Sequence, residues 1–239
     1  MSDLQARLLR AIEEQHAAED RLLAATTVQD RTAVGTFERW SLRDNVAHMA
    51  HWRSGLAGLV GRRRAGILDD VEKLDELEDA VNAEVHATWR DRPWEEVTTA
   101  AAAGFDAGLD ELRAWDDAAL DSEWSEGLTV AGRVLQNSLW HATHLATWLQ
   151  ERGAGPAARE LIHGIGDRVI SVDGSPRARG TATYNVACFD ALAGDRTSAL
   201  AGLATAFAQR PELAEWAPED SDLASLQDDP DFLSLLAAR

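Results

Sequence analysis

Four of the seven histidines fall in two pairs at three-residue spacing, His48 with His51 and His141 with His144. Both pairs lie in segments that read as amphipathic helices, where residues three or four apart carry Cβ atoms about 5 to 6 Å apart on one face. Two imidazoles so placed can meet at one ion, and a neighbouring helix can add a third. Imidazole nitrogen suits zinc, iron, nickel or copper, and three such ligands with one position left to water make an open, reactive centre. Helical bundles build such sites inside from facing side chains, including pairs spaced i, i+3. His48 shares a helical face with Asn45, Trp52 and Leu56, a stripe expected to point inward, so the predicted ligands are His48, His141 and His144. Binding of this kind weakens as pH falls below the ordinary histidine pKa of about 6.5. The competing reading is that each histidine is packed or solvated, since i, i+3 spacing also arises by chance in helices. His16, His86 and His163 are read as ordinary core or surface residues, and Trp52, Trp140 and Trp148 as pocket walls or core.

The elements that must position these residues are predicted from periodicity. Leu4, Leu8, Ile12, Leu22 and Leu23 mark a helix over residues 3 to 25. Ser41 and Asp44 fit a capping box, opening a second helix that runs to about Gly61. Val71, Leu74, Leu77, Val81 and Val85 continue the helical period until Arg92-Pro93; Trp94, Val97, Phe105, Leu109 and Leu112 then resume it. This gives a broken helical arm over 69 to 116. An acidic loop with Trp124 and Gly127 leads to a last helix, 130 to 152, whose stripe of Val134, Ser138, His141, Leu145 and Trp148 ends at Gly153. β-Branched alternation is nearly absent, so a sheet has little support.

Composition removes other classes of function. A formal net charge of -18 over 239 residues repels a phosphate backbone, so nucleic acid is not an expected partner. No apolar run reaches the roughly 18 to 20 residues that cross a bilayer, and the amphipathic N-terminus is unlike a signal peptide; no membrane role and a cytoplasmic location are expected. Cys188 is the only cysteine, which excludes an intrachain disulfide and a cysteine metal cluster. It falls at a small helix-packing position, and is read as core rather than as a reactive thiol. No Ser-His-Asp order, nucleophilic cysteine motif or phosphate loop appears.

The run from Trp40 to Trp52, Trp-Ser-Leu-Arg-Asp-Asn-Val-Ala-His-Met-Ala-His-Trp, resembles the second-helix signature of the DinB/YfiT-like four-helix-bundle proteins, and within them most resembles the ClbS/DfsB branch. The arm around Asn82, with Arg90-Asp91-Arg92-Pro93 and Glu95-Glu96-Val97, is also similar. The resemblance covers about residues 1 to 152. Many members hold a divalent metal through one histidine of the second helix and two of the last, which places those roles on His48, His141 and His144. It also implies detoxification of a reactive small molecule, or thiol transfer. The family spaces its last two histidines four apart, whereas here the spacing is three and Trp140 takes the first position; His51 or water would then complete the set.

Residues 153 to 181 hold the turn formers Gly153, Gly155, Pro156, Gly164, Gly166 and Asp173-Gly174-Ser175-Pro176 around one short apolar segment near Leu161 to Val172, and read as a linker or connecting element. From Ala182 the pattern Tyr184, Ala187, Cys188, Gly194-Asp195, Ala199, Leu203 and Ala206 looks like a tetratricopeptide helical hairpin. Asp228-Asp229-Pro230 and Phe232 resemble its terminal covering helix. A lone repeat cannot bury its apolar face by itself, so this one is expected to pack on the bundle or on a second subunit. The fold expected is therefore all-α: an antiparallel four-helix bundle (1–152), a linker (153–181) and a tetratricopeptide-like hairpin (182–239). Two functions fit. One is divalent-metal chemistry (zinc, nickel, iron or manganese) on a small molecule or low-molecular-weight thiol. The other is a non-catalytic scaffold whose C-terminal hairpin binds a protein partner. A homodimer is compatible with either.

Overall fold

The computed structural model describes residues 3–67, 78–125 and 127–237. The chain is mostly helical and divides into two compact units, Met1–Trp148 and Leu149–Arg239. Among the described residues no helix is long and apolar enough to cross a membrane.

The first unit opens with α1 (Asp3–Ala24) and a short α2 (Val28–Thr32). Leu8, Leu9 and Ile12 are buried, but the same face continues as Gln15 and Glu19, also buried. A helix whose inward stripe turns polar needs polar partners. Glu19 meets Arg53 at 2.8 Å and Gln15 at 2.7 Å.

Arg53 belongs to α3 (Leu42–Arg64), which starts at the expected capping box: Ser41 accepts from the Asp44 amide, and Asp44 accepts from the Ser41 amide. α4 (Glu78–Trp89) and α5 (Trp94–Arg113) follow, interrupted at Pro93 as the sequence predicts. Val71, Leu74 and Leu77 lie outside the described residues. α5 packs along α3, and Gly104 permits that approach, since a Cβ there would lie 2.4 Å from the Ser54 hydroxyl.

After α6 (Asp117–Leu120) the acidic stretch differs from the loop expected. It forms a two-stranded antiparallel hairpin, β1 (Glu123–Ser125) with β2 (Leu128–Thr129). Gly127 reverses the chain at φ 69°, so a local turn suffices without β-branched alternation. The last long element is α7 (Val130–Leu139), a 3₁₀ turn (Trp140–Ala142) and α8 (Thr143–Glu151). α7 packs on both α1 and α3.

In the second unit the expected linker is corrected. Residues Gly155–Val172 form α9, an eighteen-residue helix, and α10 (Pro176–Leu192) begins before residue 182. Pro156 and Pro176 sit in first turns, where proline's missing N–H costs nothing. Gly166 serves close packing, because a Cβ there would lie 2.8 Å from Val186. Turn-forming residues thus start and tighten helices rather than break them. α10 pairs with α11 (Arg196–Gln209) around Gly194 at φ 78°, with Asp195 capping α11. α9 covers another side of α10, so the hairpin buries its face within its own unit. The core holds Ala187, Cys188, Leu203, Leu223 and Phe232. α12 (Leu213–Trp216), 3₁₀ segments and α13 (Pro230–Ala237) complete the unit.

Candidate metal centre

His48 lies two turns into α3 and is 1% exposed. Its Nε2 is 3.0 Å from Nδ1 of His141, across from it on the 3₁₀ turn. The His48 ring centroid is 4.9 Å from that of His141 and 4.7 Å from that of His144, both edge-on. The structure therefore brings together the three predicted rings, from two separate helical elements. His51 is exposed, and its ring stands edge-on to Trp52 at 5.7 Å between centroids.

The last element leaves the α-helical path at Trp140–Ala142, so His141 lies in the 3₁₀ turn and His144 in the first turn of α8. Arg53 marks the break: its Nε and Nη2 donate to the Ser138 carbonyl at 3.3 and 3.0 Å. The buried Glu19–Arg53 pair thus reaches the last turn of α7, three residues before His141.

Two indoles wall the site. Trp52 lies flat on His141, 4.8 Å between centroids at 6°. Trp40 packs on His144 at 4.7 Å and on His48 at 4.8 Å. The sequence offers Trp52, Trp140 and Trp148 as pocket walls or core; Trp52 is a wall, and Trp40, in the loop before α3 and not among them, packs on two of the rings. Trp52 also donates its Nε1 proton to Asn82 of α4 at 3.0 Å. Asn82 was legible only as part of a family resemblance.

Burial, followed by the neighbouring histidines, drives the His48 pKa down to about 2. Burial and then His144 take His141 to about 3. Burial also lowers His144. All three rings are thus neutral near pH 7, with lone pairs to give. Two nitrogens on one tetrahedral zinc at about 2.05 Å stand about 3.3 Å apart; the His48–His141 separation is within a few tenths of an ångström of that. His144 is the more exposed ring. Three donor atoms mutually within 4.8 Å occur among the described residues at Cys188, Asp220 and Asp222, not at the histidines, so tridentate binding requires the His144 ring to swing inward.

The Cys188 set is of another kind. Asp220 accepts from the Tyr184 hydroxyl at 2.8 Å and lies 3.7 Å from the Cys188 sulfur. Burial and then the two carboxylates push the thiol well above its ordinary range, which keeps it a protonated core group, as the sequence implies. No protein-family model, curated protein or solved structure matches the chain.

Proposed function

We propose that the first unit is a DinB-like four-helix bundle, with α1, α3, α5 and the α7–α8 rod as its long members, and that it holds a divalent ion through His48, His141 and His144. Its task is chemistry on a reactive small molecule or a low-molecular-weight thiol, of the detoxification or thiol-transfer kind. The 3.0 Å approach of His48 Nε2 to His141 Nδ1, in a buried, indole-walled setting, carries this reading. Buried imidazoles that neither titrate near pH 7 nor meet a carboxylate suit metal ligation better than core packing.

Each residue has a defined task. His48 and His141 give their lone pairs from opposite sides, and His144 closes from the open side. Trp40 and Trp52 exclude water from two flanks and limit the ring orientations. A divalent ion there lowers the pKa of a bound water or thiol and readies it as a nucleophile.

Metal analysis of untagged protein tests the proposal. About one ion per chain is expected, with His48→Ala and His141→Ala losing it while far-ultraviolet circular dichroism stays unchanged. Wild-type protein that takes up none of zinc, nickel, manganese and iron overturns it.

The scaffold reading draws on one observation in the second unit. Trp216 is 72% exposed, beside a hollow of about 600 Å³ that it lines with Glu215, Glu219 and Asp220. Failure of every metal to bind leaves that reading as the better one.

A further inference from the structure

Residues 33 to 41, between α2 and α3, are fixed rather than loose. Thr36 and Arg39 exchange both backbone hydrogen bonds, at 3.0 and 3.1 Å, which closes a two-residue turn with Phe37 and Glu38 at its tip. The turn is seated on the start of α3. A Cβ on Gly35 would run into Asp44 Oδ2 and the Ser41 amide nitrogen, so only glycine brings the chain that close. Arg43 adds a bond from its guanidinium to the Ala33 carbonyl at 3.4 Å. On this mount the Phe37 ring stands 6.5 Å from Trp40 and edge-on to His86 of α4 at 6.1 Å, yet it remains 42% exposed. Single apolar side chains scattered over a surface need no explanation. This one continues a row of rings into the site, because Trp40 packs on His48 and on His144, the most exposed of the three imidazoles.

We propose that Phe37 and Trp40 form the wall on which the site takes an aromatic group of its substrate, so that the small molecule handled here carries a flat conjugated ring close to its reacting atom. The rings already present set the pattern. Phe37 to Trp40 and Trp40 to His144, at 6.5 and 4.7 Å with tilts of 53° and 33°, lie within the spacing at which aromatic pairs attract, and the exposure of Phe37 leaves part of its ring for one more member. A saturated group on this wall gains the burial without that added attraction. A carboxylate or phosphate loses its hydration against indole and benzyl surface, and an organic cation is repelled by a divalent ion among the imidazoles. The assignment of the aromatic group to the substrate rests on the proposed function; the wall does not.

Titration of the metal-free full chain with benzyl alcohol, followed by ¹H–¹⁵N spectra, tests it, with cyclohexylmethanol as the saturated counterpart. Benzyl alcohol should shift the Trp40 indole and His144 ring signals. Phe37 is solvent-exposed, so substitutions there leave the fold intact. Phe37→Leu, which keeps an apolar side chain and drops the ring, should bind benzyl alcohol about 2- to 12-fold more weakly, and Phe37→Tyr should stay within about twofold of wild type. Cyclohexylmethanol should change by less than about twofold across the same variants. Benzyl alcohol that leaves Trp40 and His144 unmoved in wild type overturns the proposal, as does binding that Phe37→Leu leaves untouched. Equal losses of both alcohols in Phe37→Leu overturn the aromatic class. A wild-type dimer that Phe37→Ser converts to monomer in sedimentation gives the wall to a second copy of the chain and overturns it as well. A chain that binds zinc but fails the titration loses the wall and keeps the metal reading; one that takes up no metal but passes it loses the metal reading and keeps the wall.

Discussion

Trp52 and His141 lie face to face, 4.8 Å between centroids and 6° from parallel, while the Trp52 N–H is held by Asn82. One side chain therefore joins the α3 core, the arm helix α4 and the 3₁₀ turn of the last element. Trp52→Phe keeps a ring face for His141 and drops the N–H. It should cost about 1 kcal/mol of stability, read as a lower denaturant midpoint with unchanged slope. An unchanged midpoint would show that the Asn82 bond contributes nothing.

Glu19 supplies a pH test. Burial raises its carboxyl, but Arg53, with the nearby His16 ring and a hydrogen bond from Gln15, outweighs burial and brings the pKa from 4.5 to about 2. Because the folded value is the lower one, the stabilisation is present above about pH 4.5 and is lost as pH falls through about 2. Glu19→Gln should lower stability by about 3 kcal/mol at pH 7 and flatten the dependence between pH 5 and pH 2. Parallel curves for variant and wild type would contradict the ion pair's role.

Much of the first unit was legible in the sequence because single side chains announced it. Ser41 and Asp44 marked the start of α3 and Pro93 the break in the arm. His48, His141 and His144 were placed on the correct elements. The 3₁₀ turn was not legible: beside it Arg53 reaches the Ser138 carbonyl from 85 residues away, and no local pattern encodes such a contact. The same holds for Trp40 and Asn82, whose partners lie on other elements. In the second unit, Gly155, Gly164 and Gly166 were read as turn formers, whereas all three lie within α9. Glycine at a close crossing and glycine in a loop look alike in one sequence.

Gly194, by contrast, is a turn in fact. It sits at φ 78° with open space around its Cα, so Gly194→Ala meets only backbone strain. A loss of about 1 kcal/mol is expected, measured by urea unfolding of the full chain. A neutral result would mean that the α10–α11 turn readily adopts another conformation.

X-ray absorption at the zinc edge of the loaded protein tests the central claim most directly. The expected first shell is nitrogen and oxygen alone at about 2.0 to 2.1 Å, with imidazole outer-shell scattering that disappears in His48→Ala. Sulfur scattering at about 2.3 Å would place the ion at Cys188 instead and contradict a metal centre built from His48, His141 and His144.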